Sequence, residues 1–257
     1  MRYIQKNDEP DCLKEYKDSC RQTGERACYA NFGKKKELNY ILRAEQHGLC
    51  CYCQRVIDHF DTNSPLTRAT GSHNEHLHAQ SAQADDDLDY NNIYACCVAT
   101  KGLAKRELRE AGREMALAAS LRRRKNDPRH CGEIKGNNTI VGSIQNPDCE
   151  ALFNYSASGE ILPGTEYKLW RDFSDNLDGL TTAVKERYDE IDTLNLNCNS
   201  LISDRKEAVR AILNWMKAVN FEKSTIQAKI QELENRAQYV VFHSAVIYYL
   251  RIGANRP

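Results

Sequence analysis

The stretch Cys50-Cys51-Tyr52-Cys53 constrains this chain more than any other, because three further clusters come after it in a telling order. These are Glu75-His76, then Asn91-Asn92 running into Cys96-Cys97, then His130-Cys131 with Lys135 beyond them. Zinc takes four soft ligands in a tetrahedron, and a Cys-x-x-Cys turn delivers two of them from one tight loop. Cys50 and Cys53 have that spacing, and their partners would come from Cys96 or Cys97 together with Cys131. A metal there ties together loops that a small domain cannot order alone. The competing reading is a set of buried thiols acting as small hydrophobes. The later cysteines, flanking an Asn and a Lys, favour zinc.

Glu75 and His76 lie between the two halves of this pattern. A carboxylate is a hard oxygen ligand suited to Mg²⁺ or Mn²⁺. A neutral imidazole takes a proton from water at physiological pH. Side by side, they would activate a hydroxide next to a metal that stabilises a scissile phosphate. Asn92 carries an amide able to pin the backbone that holds His76.

Composition sets the compartment and the partners. Lys plus Arg and Asp plus Glu number 36 each, so nucleic acid would have to be held by local patches or by a partner. An apolar share of 41% with 28% charge reads as soluble and helix-rich. The opening residues carry no apolar run, and the most apolar stretch, Tyr239 to Leu250, is shorter than the about 20 residues a membrane span needs. The expectation is therefore a cytoplasmic protein with no membrane contact. In the reducing cytosol its 11 cysteines bind metal, react or sit buried rather than forming a disulfide framework.

Three regions are expected. Residues 1–48 form a helical lead-in, with Leu38, Ile41 and Leu42 at helical spacing and Gly48 as the stop. Residues 49–145 form the core, with a basic helical insertion over about 98–129. Within 101–125, Ala104, Leu108, Ala111, Met115 and Ala118 recur at helical steps, and nine Lys and Arg stand against three Glu. The run Arg122, Arg123, Arg124 and Lys125 is a solvated face on one reading and a phosphate-contacting arm on the other. Lys135 is a further candidate for nucleic-acid contact. Residues 146–257 begin with a hairpin over 152–163 around Ser158-Gly159 and continue as helix. Val209, Ile212, Leu213, Met216 and Val219 line one helical face; Ile226, Ile230, Leu233, Ala237, Val240 and Val241 line another.

The order CxxC, acid-His, Asn-x4-Cys, Cys-x3-Lys resembles the HNH nucleases of the His-Me finger (ββα-metal) class. Glu75 to Ser81 (EHLHAQS), Leu88 to Cys97 (LDYNNIYACC) and His130 to Gly136 (HCGEIKG) resemble, more narrowly, the PtuB family. That family is the HNH component of the Septu anti-phage system, also found with some retrons. Met1-Arg2 with Pro10, the 155–163 hairpin and Ile191 to Asn197 with Leu201 and Arg205 extend the similarity over most of the chain. The resemblance implies an α+β, mostly helical protein: a small zinc-stabilised ββα-metal core between a helical lead-in and a helical C-terminal region. It implies an endonuclease that cleaves DNA or RNA, with His76 as general base, Glu75 as ligand to a catalytic Mg²⁺ or Mn²⁺, and Asn92 as the positioning Asn. It implies structural Zn²⁺ on Cys50, Cys53, Cys97 and Cys131, with Cys97 in the register of the third zinc cysteine. The implied partners are a PtuA-type ATPase, docked on the C-terminal half, and, where a retron is present, its reverse transcriptase and DNA.

The chain departs from the pattern in three places. His78-Ala79 stands where Arg-Pro is common, which would add a second imidazole. Gly132 directly succeeds the last cysteine where the third His of the motif belongs, making His130 the candidate substitute metal ligand. The insertion after Cys97 is also longer than the nuclease core requires. A zinc-stabilised binding or adaptor subunit with a degenerate nuclease site is the alternative. A redox-active Cys50/Cys53 thiol pair is a third reading, without the βαβ pattern it calls for.

Overall fold

The computed structural model describes residues 1–57, 71–80, 87–99, 125–164 and 180–256. The basic helix expected over 101–125 falls outside these except for Lys125, and Arg122, Arg123 and Arg124 fall outside with it. Among the described residues the architecture is mixed, with helices and two two-stranded antiparallel sheets.

Helix α1 (Asp11–Thr23) and helix α2 (Lys35–Glu45) form the lead-in, and α2 buries Leu38 and Leu42 as its spacing predicts. The chain leaves α2 through His47 and Gly48, both with positive φ, and the Gly48 amide returns to the Arg43 carbonyl at 2.8 Å. That turn delivers the first cysteines, where a Leu49–Val56 bridge closes the loop. Strand β1 (Ser72–His76) pairs with β2 (Ile93–Cys97), with Glu75 opposite Tyr94 and His73 opposite Cys96. Gln46 ties α2 to this sheet by a side-chain bond from the Ala95 amide at 2.7 Å and one to the Ala95 carbonyl at 2.8 Å. A short helix, α3 (Gly132–Lys135), comes directly after Cys131 and lies against β1.

The expected hairpin is β3 (Phe153–Tyr155) with β4 (Ile161–Pro163). Its turn sits so close to the next helix that a Cβ on Gly159 would meet the Ile202 carbonyl and the Lys206 amide, and Gly159 has φ +93°. Buried Arg205 fixes the same turn by donating to the Gly159 carbonyl at 2.5 Å and to the Leu196 carbonyl at 3.0 Å.

Helices α4 (Thr182–Thr193), α5 (Asn199–Ala218), α6 (Lys223–Glu234) and α7 (His243–Ala254) complete the chain. Val209, Ile212 and Met216 are buried on α5, as their stripe predicts. The second stripe is not one helix: α6 ends at Glu234, before Ala237, Val240 and Val241. The apolar spacing continues, but the backbone finds other partners, Tyr239 N–H donating to the His47 carbonyl at 3.1 Å and Phe242 N–H to the Gln54 carbonyl at 3.0 Å. The chain therefore binds the cysteine loop over this segment instead of itself. Among the described residues, no helix is long and apolar enough to cross a membrane.

Candidate functional site

Two sites adjoin on the β1–β2 sheet. The first is a buried knot of sulfur. Cys50, Cys96, Cys97 and Cys131 bring their ligand atoms within 4.8 Å of one another, and so do Cys53, Cys97, His130 and Cys131. All are buried. Cys97 and Cys131 belong to both groups, while Cys50 and Cys53 fall one in each. Zn–S bonds of about 2.3 Å give a tetrahedron with edges of about 3.8 Å. The Sγ atoms of Cys53 and Cys97 are 3.7 Å apart, those of Cys50 and Cys131 3.9 Å, and those of Cys50 and Cys96 4.0 Å. The donor set and its spacing fit a metal such as zinc.

The backbone is arranged for anionic sulfur. Cys97 N–H points at Cys50 Sγ at 3.4 Å and Gly132 N–H at Cys96 Sγ at 3.3 Å. Burial opposes ionisation of Cys50, but bonds from Cys131, Cys51, Cys53 and Cys96 outweigh it and hold its pKa well below the thiol range. Burial, then the neighbouring Cys50, drives Cys131 the other way. Crowded thiols cannot all ionise without a cation among them.

His130 belongs to this knot and not to the acid site. It is wholly buried, with Nδ1 at 3.1 Å from Cys131 Sγ and 3.8 Å from Cys97 Sγ. Its Nε2 faces Arg55 Nη1 at 3.0 Å. A guanidinium only donates, so Nε2 accepts and the proton sits on Nδ1, aimed at sulfur. Burial, then Arg55, pushes its pKa down to about 3, so the ring is neutral. His130 therefore stands in the sulfur cluster with Cys53, Cys97 and Cys131 and not beside Glu75, so its place gives no support to a role as ligand to a hard catalytic metal. Arg55 is in turn paired with Asp204 of α5.

The second site is built on β1. Successive strand residues face opposite ways, so His73 and Glu75 share one face and His76 lies on the other. Glu75 Oε1 meets Lys135 Nζ at 3.0 Å, and Oε2 meets His73 Nε2 at 3.3 Å. The Glu75 bond, stronger than the opposing burial, raises the His73 pKa to about 9. Lys135 is 1% exposed and also donates to the His76 carbonyl at 2.9 Å. Buried there, it fastens α3 to β1 and offers no exposed ammonium for the expected nucleic-acid contact. Lys125 pairs with Glu160 at 3.7 Å.

On the other face, His76 Nε2 lies 2.8 Å from the Asp87 carbonyl, and Gln80 Nε2 lies 3.0 Å from His76 Nδ1. A carbonyl accepts and cannot donate, so Nε2 carries the proton and Nδ1 holds the lone pair. Burial lowers the His76 pKa, against a smaller raising effect of the Asp87 carbonyl, so the ring is neutral near pH 7. Tyr29 stands edge-on to it at 4.6 Å between ring centres. Asn92 clamps the chain just beyond: its Oδ1 accepts from His78 N–H at 2.7 Å and its Nδ2 donates to the His78 carbonyl at 3.0 Å. The clamp grips two residues past His76, and a Leu77–Asn92 backbone bond of 2.9 Å completes it.

Sequence reasoning passed over His73, Gln80, Arg55 and the Asp87 carbonyl. Only His73 carried a usable signal, its two-residue offset from Glu75, and that signal has meaning only once 72–76 is known to be a strand. No known family model matches the chain, and no curated protein matches it.

Proposed function

We propose that the chain is an HNH-type endonuclease that hydrolyses phosphodiester bonds in DNA or RNA, stabilised by structural zinc. The observation that carries this reading is His76: a buried, neutral imidazole whose tautomer is fixed by the Asp87 carbonyl, with its basic nitrogen capped, among the described residues, by the Gln80 amide. When Gln80 swings aside, a water takes its place at Nδ1. Nδ1 removes one proton, and the resulting hydroxide attacks phosphorus as the sugar oxygen leaves and takes a proton from solvent. The Asp87 carbonyl then holds the imidazolium through Nε2–H. Such a base contributes about 10²–10⁴-fold to rate.

The arrangement around His76 supports the same reading. Two antiparallel strands and a short helix surround it, Asn92 fixes the loop beyond it, and Lys135 holds its carbonyl. Cys50, Cys53, Cys97 and Cys131 would hold the zinc, with Cys96 beside them. Glu75 would hold a hard divalent ion, Mg²⁺ or Mn²⁺, whose chemistry is to offset charge on the scissile phosphate. A PtuA-type ATPase docked on α5–α7 would capture substrate for a chain of net charge zero.

A second reading has one observation in its favour. Glu75 Oε1 is already neutralised by Lys135, as befits a zinc-stabilised adaptor whose nuclease centre has decayed. The complex with its ATPase decides between them. His76→Ala should abolish Mg²⁺-dependent cleavage while zinc content and partner binding stay intact. Equal cleavage by wild type and variant would sink the nuclease mechanism, and absence of cleavage in both would favour the adaptor.

A further inference from the structure

Gly132 opens α3 where the resemblance expects an imidazole. Its φ is not in the left-handed region, so the backbone itself does not require glycine there. What glycine permits is close approach: a Cβ at 132 would stand 2.5 Å from Glu75 Oε2 and 2.9 Å from His73 Nε2. Any larger residue would push these two groups out of place.

We propose that His73 supplies from β1 the imidazole that α3 lacks, and that Glu75 Oε2 with His73 Nε2 forms the protein's ligand pair for a hard divalent cation. What that cation would do rests on the nuclease reading above; where it binds rests on the geometry. His73 and Glu75 lie two apart on one strand face, and their facing atoms are 3.3 Å apart. Two neighbouring ligands on an octahedral ion with bonds of about 2.0–2.2 Å stand about 3 Å apart, so the pair needs little movement to share one. Lys135 engages the opposite oxygen, Oε1, which leaves Oε2 turned toward His73. The His73 side chain is 37% exposed and that of Glu75 11%, so the pair opens to solvent on the imidazole side. Water would fill the remaining positions, as such ions allow. Binding uses the Nε2 lone pair, so the imidazole keeps one proton on Nδ1 and releases any second proton to solvent.

Mn²⁺ alone, titrated into the zinc-loaded full chain, tests this. Wild type should bind one Mn²⁺, with pulsed-EPR nitrogen coupling from a directly bonded imidazole. His73→Gln should remove that coupling and weaken binding at least about tenfold, since a ligand is worth no less than its outer-shell partner. His73→Asp should restore affinity without nitrogen coupling, and His76→Ala should retain both. Gly132→Ala should weaken binding with both ligands intact. Unchanged zinc content in each variant reports that it has folded. Nitrogen coupling that persists in His73→Gln, or Mn²⁺ bound without any nitrogen coupling in wild type, overturns the assignment. Loss of cleavage in His76→Ala would leave the nuclease reading standing in that event. Conversely, His73-dependent Mn²⁺ binding without cleavage would sink that reading and leave the site.

Discussion

Replacing Lys135 by methionine separates a buried structural cation from a surface phosphate contact. The lysine side chain is 1% exposed and the Glu75 side chain 11%, with 3.0 Å between their charges. At that distance the attraction is about 5.5 kcal/mol for an effective dielectric constant near 20. Most of it offsets the cost of taking both groups out of water, so the pair's net worth is small. Removing one partner is another matter, because the remaining charge stays buried without its mate, at about 3–5 kcal/mol. Glu75 keeps His73 at 3.3 Å as a second partner, which places Lys135→Met near the low end, about 3 kcal/mol. The loss of the donor to the His76 carbonyl at 2.9 Å adds to the damage and holds the figure there. The assay is urea denaturation at fixed zinc, with Lys135→Met, Glu75→Leu and the double variant closing a cycle. A coupling energy of at least about 1.5 kcal/mol is expected, because the double variant strands no charge. A loss in Lys135→Met below about 1 kcal/mol, with no coupling, would refute the reasoning. Weaker nucleic-acid binding with unchanged stability would return Lys135 to the role its sequence position first implied.

Three further outcomes rest on the packing. The purified chain should carry zinc, and stripping it with a chelator should cost several kcal/mol, a fall in Tm on the order of 10 °C; a metal-free chain of equal Tm would remove zinc from the fold. His243 is wholly buried and stacked 4.1 Å from Tyr239, with no hydrogen bond to either ring nitrogen among the described residues, and burial, then Arg2, pushes its pKa down to about 3. Its contribution is complete above the unfolded value near 6.5 and drains as pH falls toward 3, by up to about 1.4 kcal/mol per unit. His243→Phe keeps the stack and should flatten that stretch of the stability–pH curve; an unaltered slope would count against it. Gly159→Ala should destabilise by more than about 2 kcal/mol in the same denaturation assay, because neither its φ nor the α5 backbone leaves room for a methyl group.

Ligand spacing is a local covalent constraint, and for that reason a cysteine cluster was legible, although Cys50 gathers with Cys96, Cys97 and Cys131 while Cys53 gathers with Cys97, His130 and Cys131. Helices α2 and α5 and the β3–β4 hairpin were legible for the same reason, since periodicity and turn residues act over a few positions. What the sequence could not show was where a side chain points. His130 and Lys135 flank the same cysteine, and the resemblance put His130 at the acid site while Lys135 was a candidate for nucleic-acid contact. The Cys131 amide instead donates to the Leu194 carbonyl at 2.8 Å, and Cys131 takes a positive φ. That twist sends His130 back toward Arg55 while Lys135, a turn later, runs under β1. Strand β1 was hidden for a different reason, because Ser72 to His76 is polar throughout and only pairing with β2 makes it extended. The same logic governs the end of α6, where the carbonyls of His47 and Gln54 outcompete helical continuation. Those two bonds, with the Gln54–Ser244 and Arg55–Asp204 contacts, anchor the C-terminal helices directly to the cysteine loop. A metal removed from that loop would therefore loosen the docking of α5 and α7 as well as the β1–β2 sheet, so chelation should lower zinc content and hydrogen-exchange protection of α5 and α7 together.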